Sequence, residues 1–408
     1  MIASSLPADG PDSAAAWRRL AVAVLLSMLG GASMWSVVVV LPAVQAEFGI
    51  ARAAASLPYT LTMVGFAFGG VLMGRLADRF GVTVPLLIGS VCLALGFGLT
   101  AVSGGLVGFT LAHGLLIGVG SSCAFGPLMA DTSLWFVRRR GIAVSLCAAG
   151  NYLAGTIWPP LVQLSVAEVG WRLTQAGLGL LCLGAMVPLA LLMRRPPPAA
   201  AAPAPQAGAG REAGVASPRL VQGLLILSGF SCCVAMAMPQ VHIVAYCGDL
   251  GYGVARGAEM LSLMLGFGIV SRVGSGFLAD RIGGVATLLL GAALQGVALV
   301  LYLLFDGLFS LYVVSALFGL FQGGIVPAYA IIVREIFPAR EAGGRVGIVI
   351  MATLFGMAFG GWVSGVIFDL TGTYATAFAH GILWNLVTVS IALWLLVRPT
   401  ERGRVAAA

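Results

Sequence analysis

Long apolar runs, each closed by a short polar or glycine-rich break, recur along all 408 residues of this chain. Twelve of them are long enough to cross a hydrocarbon core of about 30 Å: 18–44, 53–73, 82–103, 107–131, 141–163, 173–193, 220–246, 258–279, 284–304, 308–332, 345–368 and 375–397. The first run is too long for a signal h-region, so it is expected to stay as a helix. One stretch breaks the rhythm. Residues 194–218, RRPPPAAAAPAPQAGAGREAGVASP, are dominated by Pro, Ala and Gly and keep no amphipathic period. They predict a flexible cytoplasmic linker. The expected layout is a cytoplasmic tail (1–17), a six-helix bundle (18–193), the linker, a second six-helix bundle (219–398) and a cytoplasmic tail (399–408).

The two halves echo each other. Gly74–Gly81 reads GRLADRFG after the second run, and Gly276–Gly283 reads GFLADRIG after the eighth, 202 residues later. Matching motifs at matching helices predict an internal duplication about an axis along the membrane normal. The fold class is therefore all-α membrane protein, with twelve transmembrane helices in two pseudo-symmetric six-helix bundles. Each motif glycine suits a tight turn or close helix approach. Asp78 and Asp280, with Arg79, Arg281 and the nearby Arg138 or Arg345, suggest charge contacts made in one orientation of the halves and broken in the other. Gly74, Asp78, Arg79, Asp280, Arg281 and Arg138 are the candidate latch.

Composition sharpens this picture. The chain is 60% hydrophobic and 9% charged, which excludes a soluble domain. A formal charge of +7 invites a nucleic-acid partner, but the distribution argues against one. Every one of the 22 basic residues is Arg; 18 fall on the side of the termini, while Arg52, Arg172 and Arg256 fall on the other and Arg272 lies within a run. That asymmetry puts both termini in the cytoplasm and the protein in the cell inner (plasma) membrane. The 57 glycines fit closely packed membrane helices, as does the small-residue spacing of Gly356 and Gly360. Seven cysteines form no disulfide or metal pattern.

Arg272 carries the chemistry. It sits in MLGFGIVSRVGSGFLA with no acid within one helical turn. A guanidinium in hydrocarbon costs at least a few kcal/mol, so it faces a protein cavity and takes a partner. It lies eight residues before Asp280, about 12 Å inside the membrane at 1.5 Å per residue. Rocking transporters bind their substrates near that depth. An Arg there suits a carboxylate, held bidentately, or serves as a strut on backbone carbonyls. Asn151 and Tyr152 need partners, either a ligand or another helix. Gln322 and Tyr329 are seven apart and share a helix face. Trp35 and Tyr59 are candidate cavity walls or packing rings. His242 is a candidate gate or proton acceptor. His113 and His380 read as hydrogen-bonded interfacial residues. Asp131 is the other proton candidate, more simply read as an ion-pair or capping acid. No phosphate-cradling loop, metal cluster or nucleophile triad is visible, so neither an enzyme nor a cofactor is expected.

Along essentially its whole length the chain resembles the major facilitator superfamily, whose signature loop between helices 2 and 3 is similar to GRLADRFG. WFVRRRGIAVSLCAAGNYLAG (Trp135–Gly155), PQVHIVAYCGDL (Pro239–Leu250), Arg272 with SGFLAD, and FDLTGTY (Phe368–Tyr374) resemble its monocarboxylate transporter and oxalate–formate branch. The chain departs from that branch in two places. Gly268 stands one turn before Arg272 where many members carry an acid, and no Lys is present in helix 1 or 11, where Met34 and Trp35 stand in helix 1.

The resemblance implies a secondary transporter for a small organic anion, a monocarboxylate, working by alternating access with proton symport or anion exchange. The expected partners are that anion, protons and the lipid bilayer, with the protein a monomer that binds no nucleic acid. Two rivals remain. A broad-specificity efflux transporter of the same fold calls for a midplane acid. A non-transporting membrane sensor calls for a soluble appendage.

Overall fold

The computed structural model describes residues 10–197 and 217–397. The expected linker lies outside them except at its ends, as does most of both expected tails. The chain forms two compact units, Met1–Ile50 with Leu57–Ala204, and Ala51–Ser56 with Pro205–Ala408.

The described residues form helices and no strand. In the first unit α1 is Ala14–Phe48, α2 is Arg52–Phe80 and α3 is Thr83–Val102. The fourth apolar run is not one helix. It divides into α4 (Leu106–Leu111), a π-helical stretch (Ala112–Gly118), α5 (Val119–Ser122) and, after a break at Cys123–Phe125, α6 (Gly126–Trp135). The fifth and sixth runs join without a loop in α7, Arg140–Leu192. Its 53 residues would reach about 80 Å if straight. Gly170, with φ 79° and ψ 161°, turns the chain back in the middle. Among the described residues eleven helical segments are long and apolar enough to cross a membrane, with the interrupted Leu106–Trp135 and Leu308–Ile336 counted as one each; α7 supplies two crossings, which gives the expected twelve.

The second unit holds α8 (Pro218–Asp249), α9 (Val254–Ile282), α10 (Gly284–Leu304), α11 (Leu308–Gln322), α12 (Ile325–Ile336), α13 (Ala339–Thr371) and α14 (Tyr374–Val397). The first turn of α2 packs with it. The tenth run is broken at Gly323–Gly324, about 200 residues after the break at Cys123–Phe125.

Both units begin alike. The Ser13 hydroxyl accepts from the Ala16 amide at 3.3 Å, and Ser217 accepts from Leu220 at 3.2 Å, each satisfying a donor that the helix leaves free. The helix pairings also repeat. α1 packs on the first half of α7 as α8 packs on α13, and α3 packs on the second half of α7 as α10 packs on α14. α2 meets the fourth run where Gly65 faces Gly114 and Gly118 faces Thr62; α9 meets α11 where Gly319 faces Met264 and Gly323 faces Gly268. A Cβ at these glycines would collide with backbone, so small residues set the helix spacing here. Gly356 and Gly360 do the same for α13, against Phe230 and Val234 of α8. The closing glycines of the repeated motifs, Gly81 and Gly283, share a left-handed backbone (φ 79° and 84°), as a tight turn requires. All seven cysteines are free thiols.

Candidate functional site

Arg272 lies in the C-terminal half of α9, part-buried, beside the break between α11 and α12. Its Nε reaches the carbonyl oxygen of Gly323 at 3.5 Å. Gly323 can stand there because its own missing side chain leaves room for Gly268 and Ser271 of α9. A helix break frees backbone groups that a continuous helix would use internally, and such breaks mark binding sites in transporters. Gln322, the last residue of α11, is fully buried, and neither its Oε1 nor its Nε2 has a partner. An orphaned buried carboxamide costs about 1–3 kcal/mol and calls for an explanation.

Gln322 closes α11 and Tyr329 lies on α12, across the interruption at Gly323–Gly324, where both glycines keep right-handed backbone angles. Tyr329 is fully buried on α12 with its hydroxyl 2.9 Å from Ser228 of α8, a bond between helices.

The remaining cavity candidates lie in the first unit, Trp35 on α1, Asn151 and Tyr152 on α7, which packs against α1, and Tyr59 on α2. Trp35 donates its indole N–H to the carbonyl of Asn151 at 3.3 Å. Asn151 lies against Gly31, whose missing side chain admits it. Tyr152 and Tyr59 are buried. Asp131 is engaged: Arg19 grips it with two hydrogen bonds of 2.8 and 2.9 Å and also donates to the Met193 carbonyl at 3.0 Å. This is the ion pair that the simpler reading of Asp131 expects. His113 and His380 are hydrogen-bonded, but His113 is fully buried rather than interfacial, with Nδ1 3.3 Å from Thr62. His380 accepts from Trp384 at 2.9 Å.

The latch residues are apart from their expected partners in this conformation. Asp78, Arg79, Asp280 and Arg281 are exposed, and Asp78 and Asp280 hold no ion pair among the described residues. Arg79 lies over Phe80. Arg138 is exposed, and its amide is bound by Asp12 at 3.0 Å. Arg345 pairs with Glu341 at 2.8 Å. Gly74 has open space around it.

A cluster that sequence reasoning missed centres on Arg52, at the end of the second unit away from the chain termini. Its side chain is 9% exposed. Nη2 donates to Asp249 at 3.0 Å and Nη1 to the hydroxyl of Tyr374 at 2.9 Å. The amides of Arg52 and Ala53, unsatisfied donors at the start of α2, donate to the two carboxylate oxygens of Asp369 at 2.9 and 2.8 Å. Phe368 lies 4.8 Å from the guanidinium. Behind Tyr374 stands His242, fully buried, with Nδ1 3.2 Å from the tyrosine hydroxyl and Nε2 2.8 Å from the Gly361 carbonyl. The signal was present: PQVHIVAYCGDL supplies His242 and Asp249, and FDLTGTY supplies Asp369 and Tyr374.

The model of the Major Facilitator Superfamily matches residues 23–308 and 260–408. The chain belongs to the major facilitator superfamily. It is 30% identical over 319 residues to monocarboxylate transporter 13 of Bos taurus, covering 76% of this chain and 73% of that one. It is 28% identical over 310 residues to the MFS-type transporter pynF of Aspergillus niger, covering 73% and 68%. In fold it is similar to the nucleoside transporter NupG, with a TM-score of 0.74 at 13% identity over 93% of this chain and 99% of that one. It is also similar to a bacterial homolog of the human lysosomal transporter Spinster in an inward-facing and occupied conformation, with a TM-score of 0.68, 14% identity and coverage of 93% and 94%. The chain is a multi-pass membrane transporter and not an enzyme.

Proposed function

We propose that this transporter carries a small organic anion, a monocarboxylate, by alternating access, as a monomer with both termini in the cytoplasm of a cell inner membrane. The observation that carries this is Arg272 at the helix break, with the orphaned carboxamide of Gln322 next along the chain from the glycine it touches. A guanidinium and a carboxamide donor are a fitting pair for a carboxylate, which accepts at two oxygens. The likeness to monocarboxylate transporter 13 supports that substrate class. The bond to Gly323 supports the strut role equally, so the experiment separates the two. Asn151, Tyr152, Trp35 and Tyr59 are proposed to line the path in the first unit. Asp78 and Asp280 are proposed to latch a conformation other than the one described. Protons are the proposed coupling ion.

The test is the rise in melting temperature that acetate, L-lactate or pyruvate gives to purified protein. In Arg272→Ala the shift should vanish, since losing one partner of a desolvated charge pair costs about 2 kcal/mol or more, some 30-fold in affinity. An equal shift in parent and variant overturns the assignment. A second reading, efflux of larger apolar compounds, is favoured by 25% identity to the agnestins efflux protein AgnL12 of Paecilomyces divaricatus. Stabilisation by such compounds and by none of the three anions would select it.

A further inference from the structure

The hydrogen bonds behind Arg52 have only one consistent order. A carbonyl oxygen only accepts, so His242 Nε2 carries a hydrogen and donates it to Gly361. In the neutral ring Nδ1 is then an acceptor, and the hydroxyl of Tyr374 donates to it. The tyrosine oxygen in turn accepts from Arg52. Along Tyr374, His242 and Gly361 the tyrosine O–H, both imidazole nitrogens and the carbonyl are each used once, and this order holds only while His242 is neutral; Arg52 enters it through Nη1.

The charges point the other way. The guanidinium of Arg52 pairs with Asp249, and Asp369 is held by the backbone amides of Arg52 and Ala53, so with a neutral imidazole the cluster carries two carboxylates to one guanidinium. A proton on His242 would balance it. Among the described residues no other charged group faces the ring. α13 presents Asp369, α14 presents Tyr374, α2 presents Arg52, and α8 itself carries Asp249. α9 meets α8 through Met260 against Cys247, and its Arg256 and Glu259 are bound to one another and to Tyr312. The cluster is thus short of one proton by charge and full by hydrogen bonding.

We propose that His242 is the binding site for the coupling proton, and that protonation loosens the grip on the first turn of α2. The added proton comes from water and forms an N–H bond at Nδ1. Nδ1 then donates toward Tyr374, whose oxygen already accepts from Arg52 and whose own hydrogen loses its acceptor. The Tyr374 link breaks, and the hold on Arg52 falls back on the carboxylates. Ala51–Ser56 pack with the second unit while the rest of α2 belongs to the first. A bond at Arg52 therefore bears on a helix that both units share along the chain. This deepens the proposal of proton coupling above and rests on it only in naming the proton as the coupling ion.

The test uses the full chain in detergent or nanodiscs with no anion present. The amides of Arg52 and Ala53 are locked on Asp369, so hydrogen–deuterium exchange of the 51–56 segment reads the grip. Between pH 8 and pH 5, after correction for intrinsic exchange, protection in the parent should fall by up to about tenfold per pH unit, the slope for one proton. His242→Gln keeps a donor for Gly361 and an acceptor for Tyr374 but does not titrate, so its protection should stay high and flat. Tyr374→Phe should show low protection throughout. The same pH-dependent loss in His242→Gln as in the parent would assign the effect to Asp249 or Asp369 and overturn the proposal, as would a flat parent. Should His242→Gln fail to fold, the imidazole nitrogens of ¹⁵N-histidine-labelled parent give the answer, with His113→Gln and His380→Gln to assign them. Gain of the Nδ1 proton over the interval of the exchange change supports the proposal, and a ring that stays neutral there sinks it. Neither measurement involves Arg272, so the anion reading can fail without touching this one, and the reverse.

Discussion

An arginine of the first unit and an arginine of the second are held in opposite ways. Arg172, in the first, donates to the carbonyls of Ala101 and Ser103 at 2.9 and 2.7 Å and pairs with Glu47 at 2.6 Å, while Trp171 donates to the same carboxylate at 2.5 Å. Arg172 and Glu47 are 37% and 41% exposed. Arg52, in the second, is buried and spends its donors on Asp249 and on a tyrosine backed by a histidine. Two of the Arg172 acceptors are carbonyls, which do not change charge with pH, and the third is the one carboxylate Glu47, so the first arrangement clasps α1, α3 and α7 largely through fixed groups. The second is built from groups that gain and lose protons. The difference lies in the acceptors, not in the arginine.

The largest effect expected from this contrast is on stability. Arg52→Ala takes a donor from the buried hydroxyl of Tyr374 and a partner from Asp249, which is 37% exposed, so the loss is up to about 3 kcal/mol and comes mainly from the buried hydroxyl, since solvent screens the carboxylate. Arg172→Ala removes an exposed pair and two carbonyl bonds, about 1–2 kcal/mol after solvent screening. Melting of both variants in one detergent checks the order. Equal losses would mean that the burial of Arg52 carries no energetic weight, and the comparison would collapse.

The helix packing and the two arginine clusters differ in how readable they were. The packing glycines follow from local pattern, small residues four apart, whereas the partners of Arg172 lie 69 to 125 residues away and were no more legible than those of Arg52. The fold was legible in the same way, since span length and the repeated ADR motif need only nearest neighbours and an offset. Arg52 was legible only as one of three arginines on its side. Its partners are 197, 317 and 322 residues away, and no local period connects them. The break at Gly323–Gly324 was hidden for another reason. Two glycines within an apolar run read as helix packing, and at Gly323 the packing is real, against Gly268. The same contact that makes the glycine necessary conceals that the helix stops there. Arg272 was found because a lone cation in hydrocarbon is costly wherever the chain leads, but its neighbour Gly323 was not predictable.

The smallest effect is expected near the chain termini, where the first unit has a titratable contact of its own. Asp12 has a left-handed backbone (φ 58°), which Asp tolerates, and its carboxylate accepts from the amides of Val137, Arg138 and Arg139 at 3.0–3.2 Å. Burial alone would raise its pKa, but these three amides and the charge of Arg138 outweigh it and hold the value below the usual 3.8. The sign follows from that direction. An acid with a depressed folded pKa contributes stability that is present above about pH 4 and is lost as pH falls through the folded value. Asp12→Asn keeps one acceptor and the left-handed backbone but has no charge to lose. At pH 6 it should melt slightly below the parent, by the equivalent of about 1 kcal/mol or less, because the site is half-exposed. The two melting curves should converge as pH approaches 3. A gap that persists there would assign the contact to shape rather than charge. A gap that follows pH between 5 and 8 would be out of reach of this carboxylate, and would mean that the termini, and not only the cluster at Arg52, respond to a proton in that range.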